Sequence, residues 1–157
     1  MANSAIVITP EQLLEHWQGH RRVTRRLIAA FPADQFETFT IGGLRPFSGL
    51  VQEMLAIGVP SLKGFVHRDW TTSFEPRALS KDAALKEWDA QTDEINALFP
   101  KIRAEQWQEH DKAFGMYEGP TFELLWYALD NEIHHRGQAY VYFRALGIEP
   151  PPFYDRS

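Results

Sequence analysis

The chain has 157 residues, a net charge of −5 and no cysteine, which fits a single domain with its own hydrophobic core. The lack of cysteine excludes a disulfide scaffold, a thiol nucleophile and a thiolate-ligated metal site, and it agrees with a cytoplasmic location. We expect no nucleic-acid or membrane partner, because there is no Lys/Arg stripe, no signal-peptide pattern and no apolar run of the ~20 residues that span a bilayer.

The first predicted helix begins at Pro10 and ends before Pro32. Thr9 is a good N-cap, and Gln12 can complete a capping box with it. Residues with helical spacing then form a core-facing stripe: Leu13, Trp17, Thr24, Leu27 and Phe31. The basic side chains of this helix are predicted to lie on a solvated face: His16, His20, Arg21, Arg22, Arg25 and Arg26.

Two more helices are predicted in the middle of the chain. The second covers residues 46–58, and a long connection, residues 59–79, is predicted to follow because it contains Pro60 and further breakers. The third helix covers residues 80–99 and starts at Ser80, which is a good N-cap.

The fourth predicted helix, residues 121–146, follows a second long connection that contains Gly115 and Gly119. Four amphipathic helices without a convincing strand pair predict an all-α four-helix bundle, as one domain over residues 1–157. Connections of about twenty residues exceed the usual ~2–8 of helical bundles and therefore indicate long crossovers.

The fourth helix places two polar side chains at the edge of its apolar face. At about 100° per residue, Asn131 and His135 share one direction together with Tyr142, whereas His134 points toward the polar side. Glu53 lies at the edge of the apolar stripe of the second helix. A carboxylate, an imidazole and an amide oxygen could hold zinc, manganese, iron(II) or nickel. The same three residues could instead form a buried polar network without metal.

Two charged residues fall inside the apolar arc of the fourth helix. Glu132 and Arg136 stand at i and i+4 with the acid first, which favours a helical ion pair. We expect them to pair with each other or with a partner surface, because isolated buried charges are costly. Since the helix is apolar around much of its circumference, a homodimer is also predicted.

The segment Glu132-Ile133-His134-His135-Arg136-Gly137-Gln138 and the closing Leu146-Gly147-Ile148-Glu149-Pro150-Pro151 resemble the DinB/YfiT-like family of helical metalloenzymes. In that family one histidine from the second helix and an HxxxH pair from the fourth typically hold a divalent metal. By position, His135 retains the last ligand, Asn131 replaces the other histidine of the pair, and Glu53 replaces the one on the second helix.

The resemblance implies two kinds of function. The first is a metal-dependent enzyme, such as a thiol S-transferase or hydrolase, that acts on a small electrophile with a thiol cofactor. The second is a non-catalytic dimeric relative with an altered site, which binds a small ligand or a partner in a stress response, since the family name refers to damage-inducible expression. Three further residues are expected to line the pocket: His67 on the long connection, Gln138 and Tyr142.

Overall fold

The computed structural model describes residues 6–157, and it contains four long helices in this range. They are α1 (Pro10–Ala30), α2 (Phe47–His67), α3 (Lys81–Leu98) and α4 (Thr121–Ala145). α2 and α1 each pack against both α3 and α4, so that α1 lies diagonal to α2 and α3 lies diagonal to α4. The predicted four-helix bundle is confirmed. None of the helices in residues 6–157 combines the length and the hydropathy that a membrane span requires.

The α1 helix begins as predicted, with a capping box in which Thr9 and Gln12 bond reciprocally. The prediction for its basic face was wrong at two positions. Arg21 is 2% exposed and His20 is 4% exposed, because α1 presents this side to α3 and α4. Arg21 donates to the backbone oxygen of Trp88 at 2.9 Å and lies over the Trp88 ring, 4.0 Å from its centroid.

The α2 helix continues beyond the predicted end at Gly58 and passes through Pro60 to His67. Proline lacks the N–H group that would bond to the carbonyl oxygen four residues earlier, here that of Ala56. The hydroxyl of Thr72 donates to this oxygen at 2.6 Å. A residue from the following connection thus replaces the missing donor, and the true connection begins only after His67.

The connection between α3 and α4 contains a β-hairpin, so the prediction of no strand pair was wrong. Strands β1 (His110–Ala113) and β2 (Tyr117–Pro120) pair antiparallel. The turn uses Phe114 at φ 54° and Gly115 at φ 70°, and positive φ at both central residues is typical of a tight hairpin turn. Phenylalanine rarely adopts this conformation, and the sequence therefore lacks the usual Asn-Gly or Asp-Gly signal.

Candidate metal and ligand site

The three predicted ligands lie together between α2 and α4. The Glu53 Oε1 atom is 3.0 Å from the His135 Nε2 atom and accepts a hydrogen bond of 3.0 Å from the Asn131 Nδ2 atom. Asn131 and His135 are buried on the α2-facing side of α4, whereas His134 is exposed. Among residues 6–157, no three His, Asp or Glu side chains form a metal-type cluster. Any ion held here would therefore need the Asn131 amide, and metal binding stays a prediction.

Gln138 fixes the orientation of the His135 ring. Its Oε1 atom lies 2.9 Å from the His135 Nδ1 atom, one helical turn further along α4. The other ring nitrogen, Nε2, faces the Glu53 carboxylate. Gln138 thus holds the ring in the orientation that directs Nε2 toward Glu53.

Arg45, which precedes α2, contacts the second oxygen of the Glu53 carboxylate. The Arg45 Nη2 atom lies 2.5 Å from Glu53 Oε2, and the Tyr142 hydroxyl donates to the Arg45 carbonyl oxygen at 2.6 Å. Burial alone would raise the pKa of Glu53, but hydrogen bonds from His135, Arg45 and Asn131 outweigh burial and lower this pKa to about 2. Glu53 is therefore a carboxylate throughout the physiological range.

The Asn131 amide provides a test of whether the site suits a metal. Its Oδ1 atom is buried and has no hydrogen-bond partner within the described residues. Turning the amide over would direct this oxygen toward Glu53, an arrangement that a cation stabilises. The donor set thus fits a divalent ion, although the Arg45 charge opposes one.

Two cavities, each of about 590 Å³, adjoin the site, and Glu53 and Phe74 line both of them. The first cavity has a mixed polar and apolar lining that includes Arg45 and Arg77. The second is largely apolar; its other lining residues are Ile57, Ser61, Ala113, Phe114, Met116, Tyr117, Glu118, Glu123, Leu124 and Tyr127. Asn131 and His135 line neither cavity. Of the three predicted ligands, Glu53 is therefore the one that a bound molecule in either cavity would contact.

The three residues predicted to line the pocket have other positions. His67 is exposed at the end of α2, ~21 Å along the helix from Glu53 at 1.5 Å per residue, so it was wrongly assigned to the connection. Gln138 contacts His135 rather than a cavity. Tyr142 is fully buried and positions Arg45, and burial raises the pKa of its hydroxyl. Sequence analysis missed Arg45 because its contact with Glu53 depends on how the chain enters α2.

A second polar network fills the interior between α1 and α4. Glu132 accepts hydrogen bonds from Thr24 Oγ1 at 2.6 Å and from Trp17 Nε1 at 3.2 Å. Arg136 donates to the His20 backbone oxygen at 3.0 Å and lies 2.9 Å from His20 Nδ1. The predicted direct ion pair between Glu132 and Arg136 is not formed, although the two charges still stabilise each other. Both bond to α1 of the same chain, so they give no support to a dimer.

The comparisons with known proteins agree with this fold. The model of the DinB family matches residues 1–157. A DinB-like protein (YjoA) from Bacillus subtilis has 25% identity and a TM-score of 0.72, and the match covers 92% of this chain and 97% of that chain. A DinB-like protein from Bacillus cereus ATCC 10987 has 15% identity and a TM-score of 0.71 over the same shares of the two chains. No curated protein matches the chain.

Proposed function

Because the chain belongs to the DinB family, we propose that it is an enzyme in which Glu53, His135 and Asn131 hold a divalent metal ion beside a small-molecule site. The observation that carries this proposal is the meeting of a carboxylate, an imidazole and an amide at 3.0 Å beside two cavities. Zinc, nickel, manganese and iron(II) all accept such mixed N/O ligands. A cytoplasmic location belongs to the same proposal, since a chain without cysteine suits a reducing compartment.

The reaction class that fits best is the transfer of a thiol to a small electrophile, or the hydrolysis of that electrophile. A divalent ion at this place would lower the pKa of a bound thiol or water and so supply the nucleophile. The side chains have separate tasks. Gln138 holds the His135 ring, Arg45 holds the Glu53 carboxylate, and the apolar cavity takes the apolar part of the substrate.

One contact favours a second candidate, a binding protein that needs no metal. Arg45 pairs with Glu53 at 2.5 Å, so a guanidinium already balances the charge of the carboxylate. For this second candidate, the site is a closed polar network without metal. The cavities bind a small ligand or a partner in a stress response, and no reaction is catalysed.

Metal content distinguishes the two candidates. We expect protein that is expressed with supplements of zinc, nickel, manganese and iron to retain a nearly stoichiometric metal after gel filtration, as measured by elemental analysis. His135→Ala and Glu53→Ala should lose it, because each removes a ligand. His134→Ala is the matched control and should retain the metal, since His134 is exposed and His135 is the histidine that contacts Glu53.

Arg45→Ala provides a second test of metal binding. Removal of the guanidinium should increase metal affinity, because a positive charge near a cation site opposes binding. Background metal content in both the wild type and Arg45→Ala would refute the enzyme proposal and leave the binding protein. If metal is present, a screen of low-molecular-weight thiols against small electrophiles tests transfer, and loss of that activity in His135→Ala, but not in His134→Ala, would assign it to this site.

A further inference from the structure

The apolar cavity beside Glu53 is formed by α2, α4, the β-hairpin and the connection that follows α2. Four aromatic rings line it, and three of them stay more than half exposed: Phe74 is 51% exposed, Tyr127 is 56% and Tyr117 is 58%. Rings that remain accessible around a cavity offer their faces to a bound molecule. The lining therefore suits a ligand that contacts aromatic rings.

Phe114 supplies the fourth ring, and its backbone adopts a conformation that is rare for phenylalanine. Its φ of 54° lies in the left-handed region, where glycine or asparagine would fit the hairpin turn with less strain. The Phe114 ring packs edge-on against Phe74, with ring centroids 5.9 Å apart, and against Trp70, with centroids 5.4 Å apart. These contacts hold Phe114 in the cavity wall, and backbone strain of this kind is typical of functional sites.

The charged side chains that line this cavity, within the part of the chain that the structure describes, are all acidic: Glu53, Glu118 and Glu123. Arg45 pairs with Glu53, and Lys112 pairs with Glu118 at 3.0 Å. Glu123 has no ion-pair partner among residues 6–157. The cavity therefore carries one negative charge that no cationic side chain balances.

Glu123 lies at the end of the cavity that the hairpin forms. A methyl group added at Gly119 of β2 would be 3.5 Å from the Glu123 Oε2 atom. Glu53 contacts Asn131, which follows Glu123 by eight positions on α4, or about 12 Å along the helix at 1.5 Å per residue. The free carboxylate and the Glu53 site are therefore separate, and one elongated ligand could contact both.

We propose that this cavity binds small organic cations, that is, molecules with an ammonium group on an apolar body. The face of an aromatic ring attracts a cation, and the Glu123 carboxylate adds a full negative charge beside the rings. The same charge opposes an anion. As a substrate class the inference rests on the proposed function, with the ammonium group at Glu123 and the reacting end toward Glu53. The binding itself needs no metal.

Three compounds of different charge test the ligand class: benzyltrimethylammonium, benzyl alcohol and phenylacetate. Isothermal titration calorimetry at low salt should give a dissociation constant for benzyltrimethylammonium at least about tenfold below those for the other two. The protein is first freed of metal by dialysis against a chelator, which separates this test from that of the proposed function. Selective cation binding by a chain that retains no metal would support the cation site and refute only the metal enzyme.

Substitutions at two positions locate the bound cation. Glu123→Gln should weaken the binding of benzyltrimethylammonium about fivefold and leave that of benzyl alcohol unchanged, because only the charge is removed. Tyr127→Leu should weaken cation binding about threefold, since leucine lacks the ring, whereas Tyr127→Phe should bind as the wild type does. The matched control is Asp130→Asn, which removes an exposed acid of the same helix that lines neither of the two cavities and should leave binding unchanged.

Thermal unfolding of each variant shows whether it folds. Equal affinities for the three compounds, or cation binding that Glu123→Gln does not weaken, would overturn the proposal. Glu123 also stands in the first turn of α4, where a carboxylate stabilises the helix N-terminus. A Glu123→Gln variant that loses stability but keeps its affinity for the cation would assign Glu123 to that task alone and would equally overturn the proposal.

Discussion

Glu53 and Glu132 are both carboxylates that interact with arginine inside the same bundle, yet their pKa values shift in opposite directions. Glu53 keeps 23% of its side chain exposed and lines two cavities, and its hydrogen bonds lower its pKa to about 2. Glu132 is buried between α1 and α4, and there burial raises the pKa although Arg21, Thr24, Arg136 and Trp17 oppose the rise. Access to a cavity thus separates a carboxylate that can meet a ligand from one that holds helices together.

The largest expected effect is the difference in how much each of the two carboxylates contributes to the stability of the fold. We expect Glu132→Ala to lower the free energy of unfolding by about 3–5 kcal/mol, because it removes the buried carboxylate that stabilises the buried charges of Arg21 and Arg136. Glu53→Ala should cost less, since Glu53 and Arg45 are partly exposed and water from the adjoining cavities can reach the groups that lose the carboxylate. Urea denaturation measures both values. Equal losses of unfolding free energy would show that burial does not set the contributions of the two carboxylates to stability.

Thr24→Val isolates one hydrogen bond of the buried network. The substitution keeps the shape of the side chain and removes the 2.6 Å bond to Glu132 Oε1. We expect a loss of about 1.5–3 kcal/mol, the usual range for a hydrogen bond to a charged group. Metal or ligand binding at Glu53 should not change in this variant, and a loss of binding would show that the two networks are coupled.

The smallest effect is expected from pH, through His20 of the buried network. Burial, followed by the charges of Arg136 and Arg156 and by His16, lowers the pKa of His20 from 6.5 to about 3. The folded chain therefore keeps His20 neutral while the unfolded chain binds a proton, and stability is lost as the pH falls from 6.5 toward 3. Unfolding at neutral pH and at about pH 5 should show a smaller difference for His20→Gln than for the wild type. The same difference in both would exclude His20 as a source of acid sensitivity.

Much of the candidate site could be predicted because its geometry is local. Asn131 and His135 share a direction through their spacing along one helix, and the choice of His135 over His134 as the inward residue follows from the same rule. Glu53 was predicted because it lies at the edge of the apolar stripe on α2. Arg45 could not be found in this way, because its guanidinium reaches Glu53 only through the path of the chain before α2 and through the bond from Tyr142.

The amino-acid sequence by itself determined the four helices, the capping box at Thr9 and the side of α4 that carries Asn131 and His135. These features depend on residues a few positions apart, where spacing and backbone hydrogen bonding decide the outcome. Only the tertiary structure decided that α1 covers Glu132 and Arg136 and that the Thr72 hydroxyl bonds to the α2 carbonyl oxygen left free by Pro60. Each of these depends on segments that are distant in the chain, and periodicity along one helix does not specify which neighbour packs against it.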